Sequence, residues 1–246
     1  MSSCGDERRD ARHDQRVTYA ERATSVAGVT LWRWSAGSAP EPGLILPDGC
    51  LDLLWDGARL FVAGPDTAAR WHEGKPDASL LALRFSSGTG PEFLGIPADE
   101  LRDRTVSLDD LWPAGDSRRL ADQIASDPAE LGRWLVQRAA SRPVDPIGVP
   151  VFAMASAGVP VAVMADRLGI SPRQLHRRCL PVFGYGPLRL ARVLRMGRAL
   201  DHARAGMPLA QVAAVCRYAD QAHLSREVRA LVSTTPTTLL AELGAR

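Results

Sequence analysis

Residues 161–179 read VAVMADRLGISPRQLHRRC, and the spacing inside this stretch decides the fold of the second half of the chain. Ala165, Gly169 and Leu175 stand at offsets 0, +4 and +10, with Met164, Leu168 and Ile170 apolar around them. A small residue at Ala165 lets a second helix cross the first closely. Gly169 can take a positive φ in the turn, and Leu175 plugs the second helix into the angle. The start of that second helix is marked three times over: Ser171 suits the N-cap, Pro172 the first helical position, and Gln174 at N3 completes a capping box. The stretch reads as a helix-turn-helix.

A second copy begins near Pro208. Val212-Ala213 replaces Met164-Ala165, and the next helix runs from Asp220, its N-cap, through Leu224 and Val228 to Leu231. Between the copies, Pro187 to Arg204 is an uninterrupted helical pattern carrying Leu190, Val193, Leu194 and Leu200. Its 18 residues span about 27 Å at the helical rise. Reading helices held near that separation match successive major grooves on one face of DNA, about 34 Å apart.

Charge supports this reading once it is divided. The 246 residues carry 30 bases and 28 acids, a net charge of +2 that alone argues against a nucleic-acid partner. From Val151 onward there are 13 arginines and five acids, or +8, which leaves 17 bases and 23 acids, or −6, in the first 150 residues. Such asymmetry is what a nucleic-acid-binding segment joined to a different domain produces. No apolar run reaches the roughly 18 residues a membrane helix needs, and the charged N-terminus lacks a signal peptide's apolar core. A cytoplasmic, nucleoid-associated protein is expected. Cys4, Cys50, Cys179 and Cys216 lie too far apart in sequence for a disulfide framework or a metal cluster.

Outward from the helical pair, residues 1–16 are polar and expected to be a disordered tail. Residues 17–142 read as a β-rich domain with a helical end. Leu51–Trp55 and Leu80–Phe85 are short apolar runs between turn signals such as Pro47-Asp48-Gly49 and Gly64-Pro65-Asp66. Helical spacing follows over Pro113–Ala125 and Pro128–Ala140. Pro143, Pro146 and Pro150 mark residues 143–158 as a boundary, and 159–246 form the paired helical module. The expected class is α+β: a sandwich- or barrel-like N-terminal domain with helices, then an all-α domain of two helix-turn-helix motifs.

Residues from about Val159 to Leu243 resemble the paired DNA-binding domain of the AraC/XylS family of transcription regulators. The resemblance is carried by Ala165-x3-Gly169-Ile170-Ser171-x3-Leu175-x-Arg177, Arg195-x3-Ala199, Val212-Ala213, and Tyr218-x-Asp220-x3-Leu224-Ser225-Arg226 leading to Thr235-Pro236. It implies seven helices, double-stranded promoter DNA as partner, and contact with RNA polymerase. Pro47-Asp48-Gly49-Cys50-x-Asp52-Leu53 and Ala63-Gly64-Pro65 look like an N-terminal domain that often precedes this module, and that likeness supplies no ligand.

With Leu175 buried, Arg173 and Arg177 point nearly opposite it and His176 and Arg178 flank them at 100° per residue. In the second helix, Leu224 and Val228 turn inward while Ala222, Arg226 and Arg229 face away beside Gln221 and Ser225. Arginine reads guanine bidentately and glutamine reads adenine. The resemblance implies base contacts from Arg173, His176 and Arg177, then from Gln221, Ala222, Ser225 and Arg226. Ser171, Gln174 and Asp220 complete the candidate interface, and Arg195 is assigned to the phosphate backbone or to bracing within the domain. Two departures weaken the second motif. Arg217 and Ser233 stand where the family commonly has glycine, and a positive φ at Arg217 implies strain of order 1 kcal/mol.

Three roles compete for the N-terminal half: a small-molecule effector domain, a domain that only forms a homodimer or meets a partner protein, and an alkyl-transfer DNA repair enzyme using Cys50. The last lacks further Cys or His ligands at short spacing to activate a thiolate. No enzyme activity, cofactor or metal is expected.

Overall fold

The computed structural model describes residues 18–40, 42–113, 115–141 and 145–244. The tail expected at 1–16, and Pro143 of the expected boundary, lie outside the described residues. The chain is α+β, with a β-rich first half and a helical second half.

The strands are β1 (Thr18–Ala23), β2 (Val29–Ser35), β3 (Gly43–Ile45), β4 (Leu51–Trp55), β5 (Leu60–Ala63), β6 (Arg70–His72), β7 (Ser79–Phe85) and β8 (Thr105–Ser107). Six form an antiparallel sheet in the order β1-β2-β7-β4-β5-β8, and β3 pairs with β6 in a separate ribbon. Period-two alternation sets the register. Leu31 and Leu53 both sit opposite Leu83, and Leu53 and Leu83 have no exposed surface. Asp52, between Leu51 and Leu53, lies on the other face, where it accepts hydrogen bonds from Trp32 Nε1 at 3.0 Å and Arg84 Nε at 3.1 Å. Burial pushes the Asp52 carboxyl above its usual range, and the Arg84 guanidinium offsets part of that rise.

Helices α1 (Gly90–Leu94), α2 (Asp116–Ser126) and α3 (Glu130–Ser141) cover the leucine face of the sheet. Phe93, Leu120, Ile124, Leu131 and Leu135 complete that core, with the Phe93 ring 5.2 Å from Phe85. Burying each such side chain contributes about 1.5–3 kcal/mol.

The second half contains α4 (Gly148–Ser156), α5 (Val161–Arg167), α6 (Pro172–Phe183), α7 (Pro187–Arg204), α8 (Leu209–Val215), α9 (Gln221–Val232) and α10 (Pro236–Gly244). Their core surrounds α7, whose Leu190, Val193, Met196 and Ala199 are buried. The stretch expected as a boundary differs from its prolines' promise, because α4 occupies most of it. Pro150 is tolerated there since it falls in the first turn, where backbone N–H groups have no intrahelical acceptor. Val151 and Ala155 are fully buried in the helical core. The first half also reaches this core, through Leu44, Leu46 and Ala69.

Candidate nucleic-acid interface

Both turns are built by the same hydrogen bond. After α5, the amide of Ile170 donates to Ala165 O at 3.0 Å; after α8, the amide of Tyr218 donates to Ala213 O at 2.8 Å. Each alanine is about 1% exposed, which leaves room for the crossing helix. The turn residue between them has a positive φ in both copies: +64° at Gly169 and +59° at Arg217. Glycine adopts that conformation freely and arginine does not.

The starts of α6 and α9 are capped in related ways. Ser171 Oγ accepts from the Gln174 amide at 3.2 Å, and Gln174 Oε1 accepts from the Ser171 amide at 2.8 Å. At α9, Asp220 Oδ1 accepts from the His223 amide at 2.6 Å. His223 Nδ1 accepts from the Ala219 amide at 3.1 Å, so a histidine at N3 takes the returning role that glutamine fills in α6. Sequence reasoning missed His223; its place three residues after an aspartate N-cap was the available signal. Its ring also stands edge-on to Tyr218 at 5.5 Å.

The outward faces carry the cations. In α6, Leu175 and Cys179 have no exposed surface, while Arg173, Gln174, His176, Arg177 and Arg178 are exposed. The His176 ring lies against the Gly186 backbone, where an added Cβ would collide with it. In α9, Leu224 and Val228 are buried, and Gln221, Ala222, Arg226 and Arg229 are exposed. Ser225 is half-buried and its hydroxyl donates to Gln221 O at 2.9 Å. The geometry thus leaves Arg173, Arg177, Arg178, Arg226 and Arg229 without an ion pair among the described residues. Ser171, Gln174 and Asp220 sit at the rim with side chains engaged in capping.

Arg195 is set apart from the others. Its guanidinium lies 4.3 Å from the Tyr218 ring centroid and 3.3 Å from Glu227, and its side chain is 25% exposed. Arg192 Nε pairs with the same carboxylate at 2.8 Å. This arrangement ties α9 to α7. Arg198 donates to Ser156 O and ties α4 to α7 in the same manner.

The remaining candidate features lie in the first half. Cys50 follows the Pro47–Gly49 turn, and burial beside Asp48 pushes its thiol well above the ordinary value. A thiol held protonated is a poor nucleophile. Asp48 Oδ1 accepts from the Cys50 amide at 2.8 Å and so serves the turn. Among the described residues no group of three His, Cys, Asp or Glu side chains could hold a metal ion. A cleft of about 500 Å3 runs between α1, α2 and α3, lined by Trp112, Trp134, Arg119 and Arg138 among others. Arg138 is held there by Phe93 O at 2.8 Å.

Two helix-turn-helix units with outward cationic faces, joined by one continuous helix, define the class: a DNA-binding transcription regulator. Residues 164–242 match the model of a helix-turn-helix domain, and residues 24–107 match a domain of unknown function (DUF6597). A search of the curated proteins finds no match. Among solved structures, the chain is similar to ToxT from Vibrio cholerae O395, with a TM-score of 0.44, 8% identity, and coverage of 86% of this chain and 96% of that one. Unsaturated fatty acid bound wild-type ToxT from Vibrio cholerae strain SCE256 gives a TM-score of 0.43 at 9% identity, covering 93% and 96%. Among the described residues no helix is long and apolar enough to cross a membrane.

Proposed function

We propose that this chain recognises promoter DNA by placing α6 and α9 in successive major grooves, with α7 as the rigid spacer between them. The observation that carries this reading is the repeated turn geometry, which presents an unpaired arginine face on each of two helices capped alike. Arg173, Arg177 and Arg226 are the candidate guanine readers, Gln221 and Ser225 supply hydrogen bonds beside them, and Ala222 offers apolar contact to a thymine methyl. His176, Arg178 and Arg229 flank these and serve the backbone. The first unit carries more of the sequence preference, because it holds two of the three candidate guanine readers and its turn has glycine at the positive φ.

The described helical core supports a domain division near residue 145, with the first half modulating DNA binding and the second half performing it. The cleft beside Trp112 and Trp134 is the place this reading gives to a small-molecule effector. A thermal-shift screen against metabolites tests it, and sedimentation over a concentration series tests for a homodimer. Contact with RNA polymerase follows from the regulator role and is checked by co-purification on promoter DNA.

Sites selected by the full chain from a random duplex pool give the decisive measurement. Arg177→Ala is expected to weaken the selected site by about 1–3 kcal/mol and to relax preference at one base pair. Unchanged affinity with unchanged base preference would remove Arg177 from the readout.

A further inference from the structure

The Ala63-Gly64-Pro65 motif runs from the last residue of β5 into the β5–β6 loop. The loop is stiff on its own side. Gly64 donates to Arg104 O at 2.9 Å, and Pro65 O accepts from the Asp103 amide at 3.2 Å. Thr67 donates through its amide at 2.6 Å and its hydroxyl at 2.9 Å to Asp103 Oδ1. Asp66, 7% exposed, pairs with Arg70 at 3.0 Å.

Across the seam, this one loop and its neighbour reach three elements of the helical half. The Ala69 amide donates to Leu231 O in the last turn of α9 at 2.8 Å. Thr67 O accepts from Arg189 Nη1, in the first turn of α7, at 2.7 Å. Arg102 Nη1, next to the loop's anchor Asp103, donates to Gly184 O at the C-cap of α6 at 3.0 Å. Gly184 packs so closely that a Cβ there would press on Pro65 and on Ala98 O. The last carbonyls of a helix have no intrahelical donor, so the seam satisfies one such acceptor at the end of each reading helix.

Without these contacts the two reading helices would be related through α7 and through α4, which packs on α6 and accepts from Arg217 of the second turn at Ala157 O. With them, α6, α7, α9 and the loop close a further ring, which leaves fewer ways to flex. We propose that the β5–β6 loop is a positioning bracket that fixes the separation and rotation of α6 relative to α9, so that the N-terminal domain determines which half-site spacing the protein accepts. This rests on the reading of α6 and α9 as the two DNA-reading helices.

The consequence is a dependence on spacing that separates from dependence on base sequence. Inserting one base pair moves the second half-site by about 3.4 Å and rotates it by about 35°. A rigid holder then loses most of one half-site, whereas a flexible one follows it. Arg102→Ala removes the bond to α6. Asp103→Gly removes the carboxylate that anchors Thr67, and glycine suits the φ of +59° at that position.

The experiment uses the full chain and a duplex it selects from a random pool, rebuilt with the spacer lengthened or shortened by one base pair. Wild type is expected to lose about tenfold or more in affinity at either altered spacing, in line with the loss of well-placed base contacts. Each variant is expected to keep the base preference within the half-sites and to lose less than about threefold. Variants as intolerant of altered spacing as wild type would overturn the bracket while leaving the two-helix reading intact. A wild type that selects a single half-site, or no site, would overturn that reading and the bracket with it.

Discussion

Arg217 holds a conformation that costs energy, at a position where its counterpart in the first unit is Gly169. The left-handed region costs a non-glycine residue about 1–2 kcal/mol. The side chain returns little: it is exposed and reaches Ala157 O at 3.3 Å. Arg217→Gly therefore relieves strain but gives the unfolded chain more freedom, a loss of about 0.5–1 kcal/mol. The net expectation is a gain of about 0.5–1 kcal/mol, read as a higher denaturant midpoint at unchanged slope. A lower midpoint would mean that the Ala157 contact outweighs the strain. This strain was legible in the sequence, because the turn position could be counted from Ala213. At Arg195 the sequence left bracing and phosphate contact both open, since the partners Glu227 and Tyr218 arrive from α9 and its approach turn.

At the scale of elements, local signals and tertiary contacts part company. The bounds of α7 follow from Pro187 and from the apolar spacing up to Arg204, and the capping box of α6 follows from Ser171 and Gln174; both are short-range physics. The α4 helix was hidden because three prolines look like a linker unless Pro150 is placed within a first turn. The inward face of α6 offers a test of its own burial. Cys179 has no exposed surface, and desolvation pushes its thiol from 9.0 up to about 12. The folded state thus keeps a proton that the unfolded chain releases above about pH 9. Stability contributed by this group is present below that pH and is lost as pH rises towards 12. Each pH unit in that window costs up to about 1.4 kcal/mol for one proton. In Cys179→Ala the slope of stability against pH between 9 and 11 should be shallower by up to about 1.4 kcal/mol per pH unit, whatever cavity cost the substitution adds at pH 7. Parallel profiles for the two proteins would show that the thiol titrates normally.

For the whole molecule, the informative quantity is where the charge lies, and the structure refines where to divide it. A cut at Val151 would split α4 and strip Ile147, 2% exposed, from the helical core. Asp145 is the better starting point: the residues from there to the end keep α4 to α10 and their buried cluster together. Over residues 145–246 there are 13 bases and six acids, a net +7, so the remaining 144 residues carry the balance of the +2 total, or −5. An acidic body docked beside the reading helices repels phosphate at long range, and that repulsion is screened as salt rises. Two slopes follow from this. The fragment should bind DNA with log affinity falling linearly against log salt, at roughly −0.9 per phosphate neutralised. The full chain should bind non-specific duplex more weakly at low salt, with the difference shrinking as ionic strength increases. Competition with random duplex at a series of salt concentrations measures both. Equal non-specific affinity at low salt would show that the acidic half lies outside the field the DNA senses. Binding retained by the first half alone would move the interface off the helical module altogether.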